Sequence, residues 1–231
     1  MYSRQIDGVE HTFGVSGKLI MNVMVMYDRQ TGTLWSQLLG EAVEGELEGT
    51  KLEFLPAWQT TWADWKARHP DTLALEKGYF GDADPYQYYY EDGRAGVIGE
   101  TNTDERLYIK EFVIGVEIDG QAIAYPFSLL NETPVVNDQI GETPVLIVFN
   151  AETGTGVVFD RRSAGQTLTF QAQDGLTLID METGSTWEGL TGQALDGTLA
   201  GESLTRVKST ASFWFGWKDW YPGTQVYGQD E

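Results

Sequence analysis

Short apolar runs separated by glycine-bearing polar turns fill most of the chain. Phe112 to Ile118, Ala122 to Tyr125, Val135 to Asn137 and Val145 to Phe149 are each of strand length. Turn pairs at Asp7-Gly8, Asp119-Gly120, Ala164-Gly165 and Asp174-Gly175 punctuate further short runs. From Leu176 to Trp187 the pattern is an alternating run, a turn cluster and a second run, which predicts a β-hairpin. Asp180 should accept backbone N–H groups at the start of that turn, and Gly184 should take its left-handed position. The fold class predicted is mainly β with a few short helices, built as a β-sandwich or barrel-like domain. One helix is well marked: Thr61 and Asp64 have capping spacing, Trp62 and Trp65 lie one turn apart, and His69-Pro70 stops it after Lys66 and Arg68. A matching helix is expected over Ser212 to Trp220. Trp62, Trp65, Trp214 and Trp217 then read as the buried faces of helices closing a β core.

These two helices are one instance of a longer internal repeat. At an offset of 152, residues 28–72 align with 180–224 without a gap, and sixteen of the 45 positions are identical. The identities include Asp28/Asp180, Thr31/Thr183, Gly32/Gly184, Trp35/Trp187, Leu38/Leu190, Trp62/Trp214, Trp65/Trp217 and Lys66/Lys218. Glycines 40, 45 and 49 match glycines 192, 197 and 201, and mark a meander or loop that no regular helix would tolerate. Upstream the offset is 157, pairing Phe13 with Phe170, so the first copy carries five extra residues before Asp28, in a longer hairpin or a copy-specific loop.

The strand-like segments from Lys110 to Val157 precede the second copy and have no counterpart before Met1. The chain therefore reads as tandem duplicated units of which the first is incomplete: residues 1–77 as the C-terminal part of one unit, 78–109 as a linker, and 110–231 as a complete unit. An N-terminal truncation is the expected cause. An incomplete unit should also expose an unpaired sheet edge, through which a homo-oligomer could form.

Composition narrows the chemistry. Acidic residues outnumber basic ones 35 to 15, a net charge of −20, which opposes phosphate backbones and anionic lipid. Nucleic acid is excluded as a partner on that ground. Membrane insertion is not expected, since the apolar stretch from Leu19 to Tyr27 is short and broken by Asn22. There is no cysteine, which removes disulfides, thiolate catalysis and cysteine-ligated zinc, and only His11 and His69 remain as imidazole ligands. No nucleophile–base–orienter signature is visible, and Gly14-Val-Ser16-Gly-Lys18 lacks the spacing of a nucleophile elbow or phosphate loop. Carboxylate pairs of glycosidase type cannot be picked out by spacing. Catalytic residues, metal site and cofactor are all expected to be none.

Candidate binding residues lie in two places. Trp35-Ser36-Gln37 follows the first turn, and a Tyr-rich stretch from Gly78 to Asp104 places Tyr86, Tyr88, Tyr89 and Tyr90 near Asp82, Asp84, Glu91 and Asp92. Trp35, Ser36, Gln37, Tyr86 and Tyr89 are the residues expected to contact a small molecule, a glycan or a protein. Against this stands the plainer reading of a tyrosine-pinned linker packed between domains.

Thr12 to Leu19, Met26-Tyr-Asp-Arg-Gln-Thr-Gly-Thr-Leu-Trp-Ser-Gln-Leu-Leu-Gly-Glu-Ala and His69-Pro-Asp-Thr resemble the bacterial and archaeal family of domain of unknown function 3179. Asp84-Pro-Tyr, Lys110-Glu, Gly115-Val and Ala124-Tyr-Pro are similar to it as well. The resemblance implies an extracytoplasmic home. It also implies a His before a Val-Asn-Asp segment and a Cys-Pro-x-Cys element, suggestive of a metal or redox site. Here Thr133 stands for the His, and Asn150 and Thr153 for the cysteines, so this chain should lack such a site. The expected function is a non-catalytic, extracytoplasmic binding or scaffolding module. The alternatives are a metal or redox protein whose site lies in a missing N-terminal segment, and a carbohydrate-binding or carbohydrate-active protein.

Overall fold

A computed structural model of the chain describes residues 1–76 and 86–229. Asp82 and Asp84 of the Tyr-rich stretch lie outside the described residues. A hairpin of β1 (Gln5–Ile6) and β2 (Val9–Glu10) turns at Asp7-Gly8 and leads into an antiparallel meander. The meander comprises β3 (Phe13–Ile20), β4 (Val23–Asp28), β5 (Leu34–Ser36) and β6 (Glu41–Glu44), hydrogen-bonded in that order. Two short helices follow, α1 (Trp62–Arg68) and α2 (Gln87–Glu91).

The remaining elements begin with β7 (Phe112–Ile118), β8 (Gln121–Pro126), α3 (Phe127–Glu132), β9 (Val135–Ile140), β10 (Thr143–Asn150) and β11 (Thr155–Asp160). A second hairpin of β12 (Arg162–Ser163) and β13 (Gln166–Thr167) then leads into a second meander, β14 (Phe170–Asp174), β15 (Thr177–Asp180), β16 (Thr186–Glu188) and β17 (Gln193–Asp196). Last come β18 (Thr210–Phe213), α4 (Trp214–Trp220) and β19 (Gln225–Val226).

The two meanders use the same local chemistry. Phe13 pairs with Asp28 and Phe170 with Asp180, and each Asp accepts the indole N–H of the Trp seven residues on, at 3.0 Å from Trp35 and 2.9 Å from Trp187. Each also accepts the backbone N–H of Thr31 or Thr183, and Gly32 and Gly184 sit at φ 72° and 70°, as the turn requires. The five extra residues of the first meander lengthen its first hairpin, which turns at Met21-Asn22 in left-handed conformation and carries a bulge between Val15 and Leu19.

The second half is a stack of layers. β10 is apolar from Val145 to Phe149 because both of its faces are covered. Leu146 and Val148 face the β14–β17 meander, where they meet Phe170, Leu178 and Trp187. Val145, Ile147 and Phe149 face Ile114, Val116 and Tyr125 of the β18-β7-β8-β19 sheet. The outer face of that sheet, through Val113 and Ala124, packs on Trp214 and Trp217 of α4. Gly115 permits this contact, since a Cβ there would lie 2.2 Å from the Trp217 ring. Among the described residues no sheet closes on itself, so stacked open sheets replace the barrel alternative.

The first half has a smaller core of Ile6, Trp35, Ala42 and Leu52, flanked by Tyr2, Phe13, Met26 and Leu47. The expectation that Trp62 and Trp65 form a buried helical face is corrected here. α1 has the predicted cap, Thr61 accepting from the Asp64 N–H at 3.2 Å, but no buried residue, and Trp62 is 52% exposed. The reason is what lies beneath each helix: α4 rests on β7 and β8, whereas α1 has no such sheet. It is held at its flanks, by an edge contact of Trp65 with Trp58, which packs against the core of the second half, and by an Arg68–Glu188 ion pair at 3.3 Å. The meanders also differ at their first strands. Phe170 of β14 exchanges two hydrogen bonds with the Asn137 side chain on β9, while among the described residues the outer edge of β3 has no neighbouring strand.

Candidate functional site

Where the first meander meets the second half, a cleft of about 450 Å³ opens. The β3–β4 hairpin supplies Leu19, Asn22, Val23 and Met24 to one wall, joined by Gln37 and Leu38 from the end of β5. The opposite wall is β18, from Thr210 to Phe213, with Phe112 of β7 and Phe215 and Gly216 of α4; Tyr89 of α2 completes the lining. The aromatic rings form a connected set: Phe112 and Phe213 have centroids 4.3 Å apart, and Phe213 and Phe215 stack at 5.6 Å.

Tyr89 is positioned by a buried cation. The Lys110 ammonium lies 4.0 Å from the centre of its ring, donates to its backbone carbonyl and pairs with Asp92 at 2.6 Å. Hydrogen bonding by Lys110 is the main cause that holds the Asp92 carboxyl well below its usual range, and burial raises the Tyr89 phenol. At the rim, the Asn22 side chain accepts from the Val97 and Ile98 N–H groups at 2.9 and 3.0 Å and donates to the Gly99 carbonyl at 2.6 Å. This pins residues 97–99 to the hairpin tip. The Ser212 hydroxyl of β18 is buried and has no hydrogen-bond partner among the described residues.

Of the five residues expected from sequence, Gln37 and Tyr89 converge on this cleft across 52 positions of chain. Trp35 and Ser36 do not line it. Trp35 is fully buried with its indole committed to Asp28, and Ser36 is buried with its hydroxyl accepting from the Leu39 N–H at 3.3 Å. The aromatic that suggested a stacking platform is therefore the centre of the first core. Tyr86 stands exposed at the start of α2, outside the lining. Phe112, Ser212, Phe213 and Phe215 were missed. A signal for three of them was present: Ser212, Phe213 and Phe215 correspond to Thr60, Thr61 and Ala63, so they differ between the copies while the adjacent tryptophans agree.

Other candidates have structural roles. Ser16 lies in β3 and donates to the Val25 carbonyl at 2.6 Å, so the Gly14 to Lys18 segment is a strand rather than a loop. Thr133 and Asn150 fall at one end of the β9–β10 pair, next to the Phe149 N–H to Pro134 carbonyl bond of 2.8 Å. Asn150 accepts from the Glu152 N–H at 2.9 Å, and Thr153 bonds the Thr155 hydroxyl at 2.7 Å. Those groups close the β10–β11 turn. Among the described residues, no three His, Cys, Asp or Glu side chains are grouped to hold a metal ion, and no helix is long and apolar enough to cross a membrane.

Neither the curated proteins nor the solved structures contain a match to this chain. A family model does match, over residues 1–224. The chain belongs to the family described as Protein of unknown function (DUF3179).

Proposed function

We propose that the chain is a non-catalytic binding module that takes a small, largely apolar aromatic ligand in the seam cleft. The observation that carries this reading is the connected set of rings from Phe112, Phe213 and Phe215, joined by Tyr89, along one wall of the cleft. Phe112, Phe213, Phe215 and Tyr89 supply the stacking surface, and Lys110 holds Tyr89 in place. An extracytoplasmic home is part of the proposal and rests on family resemblance alone; cell fractionation tests it, and recovery of the chain with the cytoplasm would remove it.

The test is fluorescence titration with N-phenyl-1-naphthylamine, a neutral aromatic amine. Saturable one-to-one binding is expected, weakened about fivefold by Tyr89→Ala and by Phe215→Ala, each the loss of one ring contact. Absence of saturable binding, or equal binding by folded variants, refutes the reading.

A second reading concerns the outer edge of β3, where Val15 is 68% exposed and, among the described residues, no strand pairs outward. We infer that two copies of the chain pair there. Sedimentation velocity should show a dimer that grows with concentration and is lost in Val15→Lys; a strictly monomeric wild type removes the idea.

A further inference from the structure

A second and larger cleft, about 640 Å³, lies on the other side of the β18-β7-β8-β19 sheet's edge strand, between β9, β19 and the turn carrying Arg106. It shares no lining residue with the seam cleft. Its polar side chains include Asp138 and Gln139 of β9, Arg106, and Gln229 beyond β19, and Tyr227 adds an aromatic ring.

The hydrogen bonds already made by these groups define what they have left to offer. Asp138 accepts the Tyr125 hydroxyl on Oδ2 at 2.8 Å and the Gln139 backbone N–H on Oδ1 at 2.8 Å. A carboxylate has about four acceptor positions, so each oxygen of this fixed group retains capacity. Gln139 gives one of its two amide N–H groups to the Gly141 carbonyl at 2.9 Å, and Gln229 gives one of its own to the Arg106 carbonyl at 2.9 Å. In both, the side-chain carbonyl and the second N–H remain. Tyr125 is buried, and burial is the main cause that raises its phenol far above the usual range, so it stays a donor to Asp138. The wall thus presents a carboxylate and two amide carbonyls as acceptors beside two amide N–H donors, and calls for a ligand rich in O–H or N–H groups.

Charge separates the two. Arg106 is already paired with Asp104 at 2.7 Å, so it offers no free cation to an anion, and Asp138, the one carboxylate on the lining, has an oxygen bonded by the Tyr125 hydroxyl and the other by the Gln139 N–H, so it serves better as a hydrogen-bond acceptor than as a seat for a cation. The Tyr227 ring, set against Tyr125 at 5.2 Å and half-buried, offers the apolar platform on which the C–H face of a sugar ring stacks. We infer that this cleft is a second binding site whose ligand is a neutral saccharide, held through its hydroxyl donors by Asp138, Gln139 and Gln229 and stacked on Tyr227.

The experiment uses the full chain, ¹⁵N-labelled, titrated separately with maltotriose, cellotriose, N-acetylated chitotriose and spermidine. At least one of the neutral trisaccharides should bind, with shift changes centred on the backbone amides of Gln139 and Tyr227. Asp138→Asn, which retains an oxygen acceptor for Tyr125, should weaken that binding at least tenfold, and Gln139→Ala should weaken it less. Both variants should still bind N-phenyl-1-naphthylamine like the wild type if the seam cleft is occupied as proposed, and should keep a folded amide spectrum in either case. No binding by any trisaccharide, shifts centred elsewhere, unchanged affinity in Asp138→Asn, or spermidine binding more tightly at this cleft each overturns the inference. Failure of the naphthylamine to bind bears on the seam cleft alone.

Discussion

Removing the Asp28 carboxylate should destabilise the protein in a pH-dependent way that its twin, Asp180, reproduces in part. Asp28 is fully buried and accepts from Thr31 N–H at 2.7 Å, from the Thr31 hydroxyl at 2.8 Å, from the Trp35 indole at 3.0 Å and from His11 Nδ1 at 3.2 Å. Burial alone would raise its pKa, yet the hydrogen bonds from Trp35, Thr31 and His11 outweigh it and bring the group from 3.8 down to about 2. A lowered folded-state pKa means the ionised form is favoured by folding. The contribution is complete above the unfolded value and is lost as pH falls through the folded one. With about 1.4 kcal/mol per pH unit, it is worth about 2 kcal/mol, present above pH ~4 and largely gone near pH ~2. At neutral pH, Asp28→Ala also strands the buried Trp35 and half-buried Thr31 donors at about 1–3 kcal/mol each, for a total of about 4–8 kcal/mol. Urea unfolding followed by tryptophan fluorescence measures this directly. Asp180→Ala should cost a similar amount less the imidazole contribution, because Leu168 stands where His11 does. A loss below about 1 kcal/mol for Asp28→Ala, or a difference from wild type that does not shrink between pH ~5 and pH ~2, would refute the reasoning.

Gly115→Ala should cost at least about 3 kcal/mol, since its Cβ would meet the buried Trp217 ring at 2.2 Å; thermal melts check it, and a near-neutral effect would mean α4 can shift freely. Trp214→Ala should lose about 3–5 kcal/mol while Trp62→Ala loses under about 1 kcal/mol, so equal losses in urea would contradict the difference in burial between the two helices. Lys110→Met should release Tyr89 and weaken N-phenyl-1-naphthylamine binding about as much as Tyr89→Ala does, with wild-type affinity counting against the positioning role.

Local chemistry was legible wherever a few neighbouring residues suffice to satisfy one another. The Asp-x-x-Thr-Gly turns, the Thr61 cap and the strand from Phe112 to Ile118 all involve contacts within about one turn or one strand, and short-range geometry follows from residue type. The repeat was legible for the same reason, because matched turn and core residues leave matched letters. Candidate sites fared worse. Trp35 looked like a ligand platform because a tryptophan next to Ser-Gln has the same letters whether its ring faces a cleft or a core, and only the pairing of β4, β5 and β6 turned it inward.

By itself, then, the sequence determined the β character, the paired turns, the Thr61 cap and the absence of cysteine chemistry, since these depend on composition and near-neighbour spacing. Tertiary structure alone decided which tryptophans are buried, that β10 is covered on both faces while the outer edge of β3 is unpaired among the described residues, and that Gln37 meets Tyr89 and Asp138 meets Gln229 in two separate clefts. Those outcomes depend on residues far apart in the chain competing for the same surface. Identical stripes such as Trp62-Trp65 and Trp214-Trp217 therefore meet different fates according to whether a sheet lies beneath them.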